Sequence, residues 1–87
     1  MKSYDIFLNI YPQLDLHGEY TTTIKTLVDN FINDNIILKN EKIVIIHGKG
    51  TGALKKELHS ILKDHKKVSS FHLNTNLGST TVSLFID

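Results

Sequence analysis

Two segments of this chain end in the same dipeptide. One closes as Leu14-Asp15-Leu16-His17-Gly18, and the other runs Ile45-Ile46-His47-Gly48-Lys49-Gly50. Imidazole titrates near neutral pH, so two histidines brought together can serve as general base and general acid. Asp15, two residues before His17, is placed to hydrogen-bond an imidazole and fix its tautomer, or to hold a metal-bound water. The turn Gly48-Lys49-Gly50-Thr51-Gly52 is expected to open a helix. Its backbone N–H groups and the helix dipole favour an anion, and Lys49 adds a full charge. Base, acid and phosphate cradle are the parts that phosphodiester cleavage needs. Each part also has a plainer assignment. A His-Gly pair can simply be a turn, and glycine there can serve positive φ and close strand-to-helix packing. The turn lacks the Gly-Lys-Ser/Thr ending of a nucleotide-binding P-loop, which argues against nucleotide hydrolysis.

Those residues need a scaffold that brings two strand ends together. Gln13 to His17 reads as a short strand stopped by Gly18. Ile24, Leu27, Val28, Phe31 and Ile32 then form one helical stripe, with an N-cap offered by the threonines at 21 to 23 and a stop at Asn40. Ile43 to Ile46 is a β-branched run suited to a buried central strand. A second helix starts near Ala53, with Leu54, Leu58, Ile61 and Leu62 on one face. Val68 to Leu73 is a third strand, and Thr80 to Ile86 alternates as a fourth. The order βαβαββ predicts a two-layer α/β domain: a four-stranded mixed sheet with two helices packed on it. Right-handed crossovers make strands one to three parallel, and a short turn makes strand four antiparallel to strand three. Parity places Asp15 and His17 on one face of the first strand, with Leu14 and Leu16 on the other. Ligands collect beyond the carboxyl ends of parallel strands, where His17 and His47 both fall. His59, His65 and His72 are assigned surface or packing positions.

The chain has 87 residues, enough for one domain, and 40% are hydrophobic against 22% charged, a globular balance. No cysteine is present, which excludes disulfides and Cys-based zinc sites. No apolar run is long enough for a membrane span, and the start lacks the pattern of a signal peptide, so the expected compartment is cytoplasmic. Pro12 separates a leader or arm, residues 1–12, from the domain at 13–87. The leader reads as an edge strand or an extended arm, and its Tyr4, Phe7 and Tyr11 are candidates for base stacking. Net charge is +1, but all six lysines of the second half lie between Lys49 and Lys67, beside only Glu57 and Asp64. Such a region can meet phosphate or be a solvated helix face. Arg is absent, so any phosphate contact falls to Lys, His or backbone N–H groups.

The two motifs, in order and with a helix between them, resemble those of Smr (small MutS-related) domains. Leu14-Asp15-Leu16-His17-Gly18 is similar to the Leu-Asp-Leu-His-Gly that opens such domains. Ile46 to Lys55 resembles their second motif, and Gly78-Ser79-Thr80 resembles the Gly-x-Thr entry to their last strand. The resemblance runs from Leu14 to Leu84. It implies the βαβαββ fold, binding of DNA or RNA, and in several members nicking of DNA or cleavage of RNA, some of it on stalled ribosomes. Carried onto this chain, it makes Asp15, His17 and His47 catalytic. It makes Gly48, Lys49, Gly50, Thr51, Gly52 and Lys55 the substrate- and phosphate-binding set. No cofactor is required by this set, and a divalent metal is left open. Members often carry a Gly-Gly-rich turn before the last strand; here Asn76-Leu77 stands in its place, which questions a backbone contact from that turn. Members fused to MutS-like ATPases commonly have Arg at the position of His17, so His17 points to the stand-alone type. The expected function is an endonuclease, with RNA better suited than DNA because a 2′-hydroxyl supplies an internal nucleophile. The alternatives are a non-catalytic RNA- or DNA-binding module and, more weakly, a protein-interaction domain.

Overall fold

The computed structural model describes residues 10–87, so most of the leader, including Tyr4 and Phe7, lies outside the described residues. The elements are β1 (Gln13–Asp15), α1 (Ile24–Ile37), β2 (Lys42–Ile46), α2 (Ala53–Asp64), β3 (Val68–Leu73) and β4 (Ser79–Leu84). They form a four-stranded mixed sheet with two helices, in the expected βαβαββ order.

The sheet order is β1-β2-β4-β3. β1 pairs parallel to β2, with Asp15 opposite Ile46, while β4 runs antiparallel to both β2 and β3. The first three strands therefore point one way, as expected. The hairpin return does something the sequence did not specify: it folds β4 back between β2 and β3. That position explains why Ser79, Thr80, Thr81 and Val82 are all buried despite three hydroxyl side chains.

The core consists of Leu16, Ile43, Ile45, Val82 and Leu84 from the sheet side, against Ile24, Val28 and Ile32 of α1 and Leu58 and Leu62 of α2. Fully burying an aliphatic side chain is worth about 1.5–3 kcal/mol. Leu16 contributes at 0% exposure although it lies just past β1, and its N–H still donates to Ile46 O at 2.7 Å. This anchor fixes where Asp15 and His17 emerge.

Two helix ends depart from expectation. Thr23 precedes α1, but its hydroxyl donates to Tyr20 O rather than capping the helix. The helix stops at Ile37, before Asn40, because Lys39 takes a left-handed φ of 63°. The N–H groups of Lys39 and Asn40 then donate to Ile36 O and Asn35 O, which satisfies two terminal carbonyls.

Candidate active site

The parallel pairing of β1 and β2 brings Asp15, His17 and the His47–Gly52 loop to one edge of the sheet. Asp15 and His17 are exposed there, as strand parity requires. The Asp15 carboxylate accepts from the backbone N–H of His17 at 2.9 Å. It thus clamps the main chain at the strand end, and the expected Asp15–imidazole bond is absent among the described residues. A side-chain carbon built on Gly48 would lie 3.4 Å from His17 Cδ2, so the His17 ring rests directly against the second motif. Gly48 also holds φ at +81°, so both space and backbone conformation favour glycine at this point.

His47 occupies a different environment. It is 4% exposed, and its ring nitrogens are taken: Nδ1 lies 2.8 Å from Gly48 O, and Nε2 lies 3.1 Å from Thr80 Oγ1. The edge therefore does not present two open imidazoles side by side. His17 faces solvent, and His47 sits beneath the loop. A sequence signal for this existed: His47 continues the inward parity of Ile43 and Ile45. His59, assigned to packing or surface, reaches the same Thr80 hydroxyl at 2.8 Å and packs edge-on against Phe71. Burial, then the nearby His47 and Lys55, lower its pKa below the usual histidine value.

The loop is held from the other side by the turn before β4. Gly78 O accepts from both His47 N–H and Gly48 N–H, at 3.0 and 2.9 Å. The backbone contact that the Asn76-Leu77 replacement called into question is therefore made. Asn76 shapes the turn by accepting from Gly78 N–H, Ser79 N–H and Ser79 Oγ. Leu77 takes a left-handed φ of 64°, a conformation that explains a glycine preference at such a turn. Because Gly48 N–H is committed to Gly78, this amide is not open to a ligand, contrary to the expected cradle. In the first turn of α2, Ala53 N–H donates to Thr51 Oγ1 at 3.4 Å, which leaves the N–H groups of Leu54 and Lys55 as the candidates to meet an anion. The leading N–H groups of this helix lack intrahelical acceptors, and the first helical bond there runs from Lys56 N–H to Gly52 O.

A shallow cavity of about 90 Å³ follows this loop from His47 through Lys49 and Thr51 to Lys55. That is well below the roughly 300 Å³ at which small-molecule sites begin, and it suits a phosphate group better. A larger hollow of about 510 Å³ lies between α1 and α2, lined in part by Lys25, Asp29, Asp64, His65 and Lys67. The expected basic region is thus split. Lys49 and Lys55 belong to the loop, whereas Lys66 and Lys67 line the hollow at the far end of α2, about 18 Å along a 12-residue helix.

Among the described residues, no three His, Asp or Glu side chains converge to hold a metal ion. Asp15 and His17 could offer two ligands at most, with the rest of the coordination coming from water or substrate oxygens. Among the same residues, no helix is long and apolar enough to cross a membrane.

The Smr domain family model matches residues 14–84. Endonuclease MutS2 of Helicobacter pylori is 40% identical over 73 residues, covering 83% of this chain and 10% of the relative. Endonuclease MutS2 of a Geobacillus species is 38% identical over 73 residues, covering 83% of this chain and 9% of the relative. The chain therefore spans about a tenth of the length of these curated relatives. The Smr domain of Thermus thermophilus MutS2 superposes with a TM-score of 0.82 at 29% identity, covering 85% of this chain and 98% of that one. YdaL, a stand-alone small MutS-related protein from Escherichia coli, gives 0.78 at 21% identity, covering 85% and 66%. That second likeness is one of fold. MutS2 proteins thus match in sequence, and a stand-alone small MutS-related protein shares the fold.

Proposed function

This chain belongs to the Smr domain family, and from that premise and the geometry of the β1–β2 edge we propose that it binds nucleic acid and cleaves its phosphodiester backbone. The observation that carries this is the seating of an exposed imidazole, His17, against Gly48 of a lysine-bearing helix-opening loop. His17 takes the proton from the attacking hydroxyl, whose oxygen bonds to phosphorus as the bond to the leaving oxygen breaks, and that leaving oxygen takes its proton from water. Lys49, Lys55 and the Leu54 and Lys55 amides in the first turn of α2 hold the phosphate and stabilise the charge that builds on it. Thr51 and the glycines at 50 and 52 let the chain turn close to that phosphate. Asp15 holds His17 through its backbone, and His47 acts from beneath by fixing Gly48. RNA is the favoured substrate, because its 2′-hydroxyl is an internal nucleophile that one base can activate. Tyr20, 77% exposed and three residues from His17, offers a face on which a base can stack.

The test is cleavage of end-labelled single-stranded RNA and of supercoiled DNA, with and without EDTA, by wild type and His17→Ala. RNA products ending in cyclic phosphate, unaffected by EDTA and lost in the variant, support base catalysis by His17. Cleavage undiminished in a folded His17→Ala protein refutes it. Salt-sensitive binding without cleavage favours a binding module that uses the same cradle.

A further inference from the structure

Three polar side chains from three elements meet under the loop: His47 after β2, Thr80 in β4 and His59 in α2. Thr80 is completely buried, and its one hydroxyl oxygen lies 3.1 Å from His47 Nε2 and 2.8 Å from His59 Nε2. The other His47 nitrogen, Nδ1, lies 2.8 Å from Gly48 O. With His47 neutral, these contacts set where each hydrogen sits. A carbonyl oxygen only accepts, so His47 Nδ1 carries a proton. In the neutral ring, Nε2 is then bare and must accept, so Thr80 donates its single hydroxyl hydrogen to it. Thr80 Oγ1 can then only accept from His59, whose Nε2 carries the proton. The result is one directed chain: His59 Nε2–H to Thr80 Oγ1–H to His47 Nε2, and His47 Nδ1–H to Gly48 O. A doubly protonated His47 would reverse it, donating from Nε2 to Thr80 Oγ1, whose hydroxyl hydrogen would then go to an unprotonated His59 Nε2.

The end of this chain bears on the proposed cradle. The Gly48–Lys49 peptide is trans, so its C=O and N–H point in opposite directions. With Gly48 O drawn down to the buried His47 ring, Lys49 N–H faces the outer side of the loop. Successive hydrogen bonds also polarise one another, so a peptide whose carbonyl accepts from His47 has a stronger N–H donor. His59 is itself fixed in place. Its ring meets Phe71 at a centroid distance of 5.0 Å and stands edge-on to His47 at 6.2 Å.

We propose that His59 is a positioning residue for the loop: through Thr80 it holds the His47 ring against Gly48 O and so aims the Lys49 N–H outward at a bound phosphate. This rests on the phosphate-binding function proposed for the loop, but its first readout does not. Long-range ¹H–¹⁵N spectra of the imidazole nitrogens are expected to show His47 protonated only at Nδ1 and His59 protonated at Nε2. His59→Phe keeps a ring against Phe71 and removes the donor. The Thr80 hydroxyl is then free to turn away from His47 Nε2, the His47 ring is held less firmly against Gly48 O, and the His47 Nδ1–H and Lys49 amide resonances move. Binding of a deoxythymidine 10-mer weakens about tenfold, the effect of one lost charge-assisted hydrogen bond. His59→Gln, whose carboxamide N–H reaches a position similar to Nε2, restores all three. A wild-type His47 protonated at Nε2 overturns the proposal. So does a His59→Phe protein in which the His47 Nδ1–H and Lys49 amide resonances are unchanged. If the wild type binds no oligonucleotide, the proposed function of the loop fails, while the ring and amide spectra still decide the role of His59.

Discussion

Replacing Thr80 with Val removes one hydroxyl from a fully buried position while keeping nearly the same shape. Two partners lose their bond at once: His47 Nε2 loses a donor, and His59 Nε2–H loses an acceptor. His47 cannot recover by switching tautomer, because Nδ1 must then give up Gly48 O. An unsatisfied buried polar group costs about 1–3 kcal/mol. His47 is 4% exposed and bears this fully, whereas the half-buried His59 falls at the lower end. The added methyl group offsets about 0.8 kcal/mol. The expected net loss is about 2 kcal/mol, which for a urea m-value of about 1 kcal/mol/M lowers the midpoint by about 2 M. Urea unfolding followed by circular dichroism measures it. Thr81→Val is a useful contrast, since the Thr81 hydroxyl donates to Asn74 and takes no part in the histidine chain. A Thr80→Val loss below about 0.5 kcal/mol, the range of ordinary surface changes, would refute the claim that the hydroxyl links two histidines. So would additivity of Thr80→Val with His59→Phe, because residues in one network couple by about 0.5–3 kcal/mol.

The pKa of His59 is lowered from 6.5, chiefly by burial and then by His47 and Lys55, so the unfolded chain binds a proton more readily than the folded one. The contribution to stability is present above about pH 6.5 and is lost as pH falls below it. The pH-dependence of urea midpoints between pH 7.5 and 5.5 should shrink in His59→Gln, and an unchanged dependence would count against this assignment. Gly48→Ala forces a side chain into a left-handed φ of +81°, at a cost of about 1–2 kcal/mol, and sets its methyl against His17. Oligonucleotide binding should fall along with the melting temperature, and full binding would show that the loop tolerates rearrangement. Leu77→Asn should raise stability by about 0.5–1 kcal/mol, because Asn accepts the left-handed conformation and Leu77 is 57% exposed, with little burial to lose. A loss of stability on thermal unfolding would mean that the Leu77 side chain packs more than its exposure implies.

Much of the fold is written in short-range patterns. The Ile43–Ile46 run, the α1 stripe and the two His-Gly strand ends all lie where local periodicity puts them, because each depends on residues within a few positions. The insertion of β4 between β2 and β3 was not legible. A hairpin turn fixes the direction of the returning strand but not the side on which it pairs, and Ser79, Thr80 and Thr81 read as a partly solvated strand. Their burial follows from a central position and from partners such as Asn74, which bonds both Ser79 and Thr81. The site divides in the same way. His17 and Lys49 are exposed and stand where their motifs put them. His47 was expected beside His17 and instead lies below it, a consequence of the parity it shares with Ile43 and Ile45. His59 carried no local signal, because its partner Thr80 is 21 residues away and its helical neighbours Leu58 and Leu62 mark that face as core.

The central claim is that the β1–β2 edge grips a phosphate backbone. The most direct measurement is a titration of the ¹⁵N-labelled protein with a 2′-O-methyl RNA 10-mer, which lacks the nucleophilic hydroxyl and so is not consumed by the proposed reaction. Amide shifts centred on His17, Lys49 to Lys55 and the Gly78 turn, diminished by added salt, are the predicted result. Shifts centred instead on Lys25, Asp29 and His65 to Lys67, in the hollow between the helices, or no shifts at all, would contradict the account.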